Sequence, residues 1–161
     1  MRRFDEFLAR NRRMAEGFAP VEGEVAFDLV ILTWVDPRVD PAHILHVHLG
    51  EAFVMRVVGG RVTGSVVDGL LAIDAITHRP MAVMVIHHTD CATAHFAAAQ
   101  PDWPLGLDGS VLAAKAVVDP WATVAADVDL LRVRLPEGSL VRGYVYDVET
   151  GLVGAGEPAD G

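Results

Sequence analysis

The chain has 161 residues, of which 52% are hydrophobic, and these values fit one domain spanning residues 1–161 with a substantial core. The formal net charge of -9 argues against nucleic acid or an anionic membrane surface as the main partner, because both require concentrated Lys and Arg. No apolar run is long enough to span a bilayer, and the charged N-terminus lacks the apolar region of a signal peptide. The single cysteine cannot form an intramolecular disulfide, which suits a reducing compartment. We therefore expect a cytoplasmic protein.

The first predicted element is an amphipathic helix in an N-terminal arm, residues 1–18. Its apolar side chains recur at spacings near three, four and seven: Phe4, Phe7, Leu8, Met14 and Phe18. A domain this small can hardly cover such a stripe alone, so we expect a homodimer in which a second copy covers it.

A strand and a short helix are predicted next. The β-branched run from Val25 to Val35 predicts a strand that ends at Asp36-Pro37, because proline favours extended geometry at the residue before it. Asp40-Pro41 is typical of an N-cap followed by proline at the first helical position, which starts a short helix through His46.

A second strand is predicted from Glu51 to Val58. It ends at Gly59-Gly60, a pair suited to positive φ or to close backbone approach. Ser65 and Asp68 resemble a capping pair at the start of a helix that should end near His78.

The third predicted strand, Met81 to His88, is apolar on both alternations and should be covered on both faces. The elements that follow are an Ala-rich helix after Cys91 to about Ala99, a loop containing Pro101, Pro104, Gly106 and Gly109, a helix from Asp119-Pro120 through Leu135, a last strand from Leu140 to Val148, and a frayed tail over 152–161. This alternation of strands and helices predicts an α/β fold with a parallel sheet.

Two of the strands end in residues that can carry chemistry: Trp34-x-Asp36-x-Arg38 after the first and His88-x-x-Cys91 after the third. Together with Asp40-Pro41-Ala42, Glu51 to Arg56 and Gly59 to Thr63, in the same order, these segments resemble the β-class carbonic anhydrase family. The resemblance covers most of the chain.

The resemblance implies a parallel core of four strands with a fifth strand at its edge, flanked by helices, and an obligate dimer in which the N-terminal helix lies across the partner. It also implies hydration of CO2 to bicarbonate at a zinc ion held by two cysteines and a histidine. His88 and Cys91 match two of these ligands, and Asp36 and Arg38 match the family's catalytic aspartate and arginine. The chain departs from the pattern in three places: Trp34 stands at the first cysteine, Val57-Val58 replaces the usual Asn-Ala, and Ala92 replaces a glycine.

The zinc chemistry needs three protein ligands and an open fourth position for water. Tryptophan cannot be a ligand, because its indole N–H is a donor with no available lone pair. Asp36 is the obvious substitute and would give an Asp36, His88 and Cys91 site. That substitution would use up the carboxylate that should orient the metal-bound water.

Each of these residues also has a purely structural interpretation. His88 and Cys91 can persist as packed residues without metal, and Asp36 with Arg38 can be an ion pair that bridges a turn. His87 should face the other side of its strand and is a core or interface residue on this interpretation. The histidines at 43, 46 and 48 form a cluster where polar surface is expected, which is weak evidence for metal binding.

Three hypotheses follow. The first is a homodimer of the β-carbonic anhydrase fold with an incomplete zinc site and weak or no CO2 hydration, in effect a pseudoenzyme. The second is a lyase or hydrolase that acts on another small substrate, either with metal on Asp36, His88 and Cys91 or without metal through Asp36, Arg38 and His88. The third is a non-catalytic protein that binds a small anion near Arg38 or serves in assembly. In all three, Trp34, Val57, Gly59 and Gly60 line the pocket, and a pocket closed by Trp34 would favour the third.

Overall fold

The computed structural model describes residues 2–21, 28–99 and 109–155. These residues form an α/β fold. The strands are β1 (Leu29–Trp34), β2 (Phe53–Val57), β3 (Ala82–His88), β4 (Leu140–Tyr146) and β5 (Val153–Ala155). The helices are α1 (Arg2–Ala15), α2 (Pro41–Ile44), α3 (Gly64–Thr77), α4 (Ala92–Ala99), α5 (Gly109–Ala113) and α6 (Pro120–Arg134), with a 3₁₀ turn over Val58–Gly60.

The strands form one sheet in the order β2-β1-β3-β4-β5. The first four are parallel, and β5 pairs antiparallel with β4 at the edge. This arrangement confirms the predicted fold class. Because β1 and β3 are neighbours in the middle of the sheet and run in the same direction, their carboxyl ends lie side by side.

The main core lies between one face of the sheet and helices α3 and α6. Its members are mostly β-branched or leucine side chains: Val30, Leu32, Val83, Val85, Val141 and Val145 from the strands, Val66, Val67 and Leu70 from α3, and Val124, Val128 and Leu131 from α6. Gly143 of β4 lets α6 approach closely, since a Cβ there would lie 3.0 Å from methyl groups of Val124 and Val128. Such burial of apolar surface provides the main stabilisation of the fold.

Two helix starts agree with the sequence. Asp40 Oδ1 accepts a hydrogen bond from Ala42 N at 3.0 Å at the start of α2. Asp119 Oδ1 accepts from Trp121 N at 2.9 Å and Ala122 N at 3.0 Å at the start of α6. Each aspartate therefore caps a helix that begins with proline.

Two predicted helix details were wrong. The N-cap of α3 is Thr63, which makes no side-chain capping bond, and Ser65 lies inside the first turn beside it at 3.0 Å between hydroxyls. The predicted Ser65 and Asp68 capping pair is therefore absent. Helix α2 ends at Ile44 and not at His46, because His46 adopts a positive φ of 54° that no right-handed helix accommodates.

The C-terminal end also differs from the prediction. Residues 153–155 were expected in a frayed tail, but they form β5, because a tight turn reverses the chain after β4. Glu149 N and Thr150 N donate to Asp147 Oδ1 at 2.8 and 3.1 Å, and Gly151 has a φ of 75°. Helix α5 was not predicted and begins at Gly109, which had been assigned to a loop; most of that loop, the start of the first predicted strand and the rest of the tail lie outside the described residues.

Helix α1 exposes the apolar stripe that the sequence predicted. Phe4 is 73% exposed and Phe7 60%, and Leu8, Met14 and Phe18 are also exposed. Among the described helices, none combines the length and apolar character needed to cross a membrane.

Candidate functional site

The carboxyl ends of three parallel strands meet at one end of the sheet. Trp34 at the end of β1 pairs in register with Val57 at the end of β2, and His88 ends β3. The 3₁₀ turn closes against this point, since a Cβ on Gly60 would lie 3.2 Å from Trp34 N and one on Gly59 would lie 2.3 Å from Lys115 O. Both glycines have positive φ, at 79° for Gly59 and 66° for Gly60, as the sequence predicted. The four predicted pocket residues therefore lie together at the carboxyl end of the parallel strands.

Trp34 is buried, with 7% of its surface exposed. Its ring lies beside that of His88, with 5.3 Å between centroids and a tilt of 57° between planes. It also packs with Cys91 and Val117 in a small apolar cluster. The indole therefore lies beside His88 and shares a buried cluster with Cys91, the two residues that resemble zinc ligands.

His88 presents an unused lone pair at its second ring nitrogen. The residue is 1% exposed, and its Nδ1 lies 2.7 Å from Thr89 O, so Nδ1 carries the proton and donates it to that carbonyl. Nε2 is buried and has no hydrogen-bond partner among the described residues. Burial lowers the pKa of His88 below its ordinary value, which keeps the ring neutral.

Cys91 is held as a buried thiol. Its Sγ lies 3.0 Å from Thr93 Oγ1, and Val117 N donates to the same hydroxyl oxygen at 3.3 Å. Because Val117 already supplies a proton to Thr93 Oγ1, the hydroxyl proton is free to point at the sulfur. Burial raises the pKa of Cys91 above its ordinary value. Sequence reasoning missed the Thr93 contact, since a threonine in an Ala-rich helix has many possible roles.

Asp36 is bonded to Arg38 through both carboxylate oxygens. Arg38 donates from its backbone N at 2.8 Å and from Nε at 3.1 Å to Oδ1, and from Nη2 at 2.8 Å to Oδ2. The hydrogen bonds from the Arg38 side chain hold the pKa of Asp36 below its ordinary value. Asp36 and Arg38 therefore form a bidentate ion pair across the turn, which is the structural interpretation of these two residues.

Arg38 has a second carboxylate partner. Its Nη1 donates to Asp90 Oδ2 at 2.9 Å and its Nη2 to Asp90 O at 3.1 Å, and the other Asp90 oxygen lies 2.9 Å from His95 Nε2. Asp90 reaches this position with a φ of 52°, which turns the chain between His88 and Cys91. The guanidinium charge of Arg38 is therefore matched by two carboxylates.

Arg56 fixes the backbone that carries the site, a role that sequence reasoning missed. It donates to Trp34 O at 3.1 Å, to Asp36 O at 2.7 Å and to Asp40 Oδ2 at 3.1 Å. Arginine can serve three acceptors at once because its donors form a rigid planar fork. Its place in a strand carried no signal, since the acceptors are 16 to 22 residues away in sequence.

His87 faces the opposite side of β3, as predicted, and belongs to the core. Its Nδ1 lies 2.9 Å from Thr123 Oγ1 and its Nε2 3.2 Å from Asp127 Oδ2. Asp127 also pairs with Arg61 at 2.8 Å and accepts from Val62 N at 3.1 Å. This network joins α6 to the 3₁₀ turn region and lies apart from Trp34.

Among the residues that the structure describes, no three or more His, Cys, Asp or Glu side chains are placed to hold a metal ion. The structure therefore does not bring Asp36, His88 and Cys91 together as a ligand set, because Asp36 is held by Arg38. The histidines at 43, 46 and 48 form no such group either.

Comparisons with known proteins agree with the fold. Residues 29–113 match the family model described as carbonic anhydrase. Beta-carbonic anhydrase 1 of Mycobacterium bovis is 28% identical over 158 residues, covering 91% of this chain and 93% of that protein. A crystal structure of carbonic anhydrase from Streptococcus mutans has a TM-score of 0.73 at 27% identity and covers 96% of this chain and 97% of that one. One of two tetrameric beta-carbonic anhydrases from Sordaria macrospora shares the fold, with a TM-score of 0.73, 20% identity and the same coverage.

Proposed function

We propose that this chain, which belongs to the carbonic anhydrase family, has little or no CO2 hydration activity because its zinc site lacks a ligand. The observation that carries the proposal is the position of Trp34. By the sequence resemblance it stands where the family has its first cysteine; its ring packs beside His88 and it shares a small buried cluster with Cys91.

The donor atoms present do not fit a catalytic zinc. Such an ion needs three protein ligands with an open fourth position. His88 Nε2 suits a metal, since it is a neutral imidazole nitrogen with a free lone pair. Cys91 is a second donor, but the indole of Trp34 offers no lone pair as the third.

Asp36 is a poor replacement for the missing ligand. Moving it onto a metal would break its bonds to Arg38 and leave the guanidinium with Asp90 alone. It would also remove the carboxylate that could accept a proton from metal-bound water. A protein that bound zinc in this way would therefore be a slow hydratase.

The same observations weigh against another enzyme at this site. A general base needs an accessible reacting position beside it. Here His88 is buried against the indole, and the pKa of Cys91 is raised by burial, so its thiolate form is suppressed. The burial of Trp34 favours the non-catalytic hypothesis over a second enzymatic one.

Within that hypothesis, Arg38 is not a strong site for bicarbonate or another small anion. A cation binds an anion best when its charge is unmatched, but Asp36 and Asp90 already surround this guanidinium. We therefore give a role in assembly as the second candidate function. The exposed apolar side chains of helix α1 would supply the contact surface for the expected dimer.

Stopped-flow hydration of CO2 in zinc-supplemented buffer tests the proposal. We expect a rate no higher than that of the Asp36→Asn variant, which supplies a matched background with the same fold. Fast turnover that Asp36→Asn abolishes would show an active site and contradict the proposal.

A further inference from the structure

We propose that the outer face of helix α6 pairs antiparallel with the same face of a second copy of this chain, across a two-fold axis beside Ala126. This contact is separate from the one expected at helix α1. It does not depend on the zinc site, so it can fail while the proposed function stands, and the reverse also holds.

Helix α6 carries apolar side chains on both of its faces. Its inner face packs against the sheet through Val124, Val128 and Leu131. Its outer face is exposed and also mostly apolar, with Trp121, Ala122, Ala125, Ala126, Leu130 and Val133. Val133 is 82% exposed. Because a helix that is apolar all round is normally buried on every side, we expect a partner to cover the outer face.

The charges on this face suit a second copy of an acidic chain. The formal net charge is -9, so two copies repel each other over most of their surface. The exposed charges within α6 are those of Asp129, Arg132 and Arg134, so this face has more positive than negative charge. Two arginines are too few for a nucleic acid or an anionic membrane, and a second copy is therefore the favoured partner.

The order of charges along α6 is self-complementary when two copies run antiparallel. The acidic cap Asp119 precedes the first turn, and Arg132 and Arg134 lie in the last turn. Asp119 caps the helix with Oδ1 alone, which leaves Oδ2 without a partner in the described part of the chain. Arg134 is exposed and forms no ion pair with any described residue. Antiparallel pairing brings Asp119 of one copy to Arg134 of the other.

Two pairs of residues give the same axis. At about 3.6 residues per turn, Trp121 and Arg132 share one flank of the outer face, and Asp119 and Arg134 share the other flank. A two-fold axis between antiparallel helices places like flanks together, so Trp121 meets Arg132 of the second copy, where a guanidinium can stack on an indole. Both pairs are symmetric about one point, beside Ala126.

The residues at this point are small, so the two helices can approach closely. Ala122, Ala125 and Ala126 leave no long side chain in the middle of the outer face. Helices approach to about 8 Å between axes when the contacting side chains are small. Two copies of Ala126 would then lie within about 7 Å of each other between Cα atoms, which a disulfide can span.

Cysteine crosslinking of the full-length protein tests the axis. Ala126→Cys should give a disulfide-linked dimer on mild oxidation, whereas the parent should give none, because its single cysteine, Cys91, is buried. The matched control is Val133→Cys, an exposed position on the same helix whose two copies would lie about 20 Å apart. It should not crosslink to itself. Equal crosslinking at both positions, or none in Ala126→Cys, would overturn the proposal.

Particle mass gives a second readout. Ala126→Glu places two carboxylates beside the axis and should halve the particle mass in native mass spectrometry, whether or not the α1 contact forms. Ala114→Glu adds the same charge at an exposed alanine outside α6 and should leave the mass unchanged. Circular dichroism shows whether each variant is folded. An unchanged mass for folded Ala126→Glu would mean that no second copy covers this face and would overturn the proposal.

Discussion

Trp34 and Asp36 limit the chemistry of the site in two different ways. On the proposed function, Trp34 stands in place of a zinc ligand without supplying a lone pair, while Asp36 has donor oxygens that are bonded to Arg38. Both effects act through contacts within a few ångströms. The proposed loss of a zinc ligand therefore rests on individual residues, while the family fold is retained.

His88 should make stability depend on pH. Burial lowers its pKa in the folded state below the ordinary 6.5, so the unfolded chain binds more protons as the pH falls through that value. The contribution of His88 is therefore fully present above about pH 6.5 and is lost as the pH falls toward the folded pKa. Urea unfolding between about pH 7.5 and 5.5 should show this decrease, and His88→Asn should flatten it. An NMR titration that placed the His88 pKa above 6.5 would contradict this prediction.

Gly59 should tolerate no side chain. A Cβ there would lie 2.3 Å from Lys115 O on a residue with a φ of 79°, so Gly59→Ala should lower the free energy of unfolding by about 2 kcal/mol or more. Gly64 is the matched control, since nothing lies within 4 Å of its Cβ position. Gly64→Ala should change the free energy by no more than about 0.5 kcal/mol. Equal effects in urea titrations would show that the turn can relax.

Among the helices, strands and turns, the features that could be predicted from the sequence are those that contacts between near neighbours in the chain determine. Asp40 and Asp119 cap their helices because the acceptor and donors lie two or three residues apart. The strand ends and the glycine turn were found for the same reason. The capping at Ser65 was predicted wrongly because Thr63 and Ser65 offered two starting points within one turn.

Long-range contacts account for what could not be predicted from the sequence. The bonds from Arg56 to Trp34 O and Asp36 O cross between strands, and the Asp90 link to Arg38 spans 52 residues. The pairing of β5 depends on the turn at Asp147 and on the free edge of β4. None of these has a periodic pattern along the chain.

The cap of α6 provides the test at this scale. Asp119→Ala leaves two backbone N–H groups without their acceptor and should lower the free energy of unfolding by about 1 kcal/mol. Asp129→Ala is the control, because that exposed residue of the same helix forms a surface pair with Arg132. Its effect should stay within about 0.5 kcal/mol. A larger loss of unfolding free energy for Asp129→Ala than for Asp119→Ala, in thermal or urea unfolding, would contradict the capping role of Asp119.

The whole molecule exposes apolar surface that a second copy should cover. Phe4 and Phe7 lie on α1 with most of their area accessible, so we expect a homodimer, as proposed from the sequence. Phe4→Ser with Phe7→Ser should weaken association in sedimentation experiments at micromolar concentration, whereas Arg3→Ser with Arg13→Ser should not. Deleting residues 1–18 should cause aggregation, because the apolar surface that helix α1 covers on the partner in the expected dimer would then be exposed.

A folded monomer of the parent at that concentration would contradict the dimer. A soluble, well-folded truncation would remove the reason for assigning α1 to an interface.

We propose that Trp34 removes a zinc ligand from an otherwise retained scaffold, and the zinc content of the parent and Trp34→Cys after purification without chelator decides whether it does. The substitution leaves a void and should destabilise the fold by about 3–5 kcal/mol, so the folded fraction is measured in parallel. We predict far less than one zinc ion per chain in the parent and an increase toward about one in folded Trp34→Cys, where the introduced thiolate would join His88 and Cys91. Stoichiometric zinc in the parent, or no increase in the folded variant, would contradict the claim.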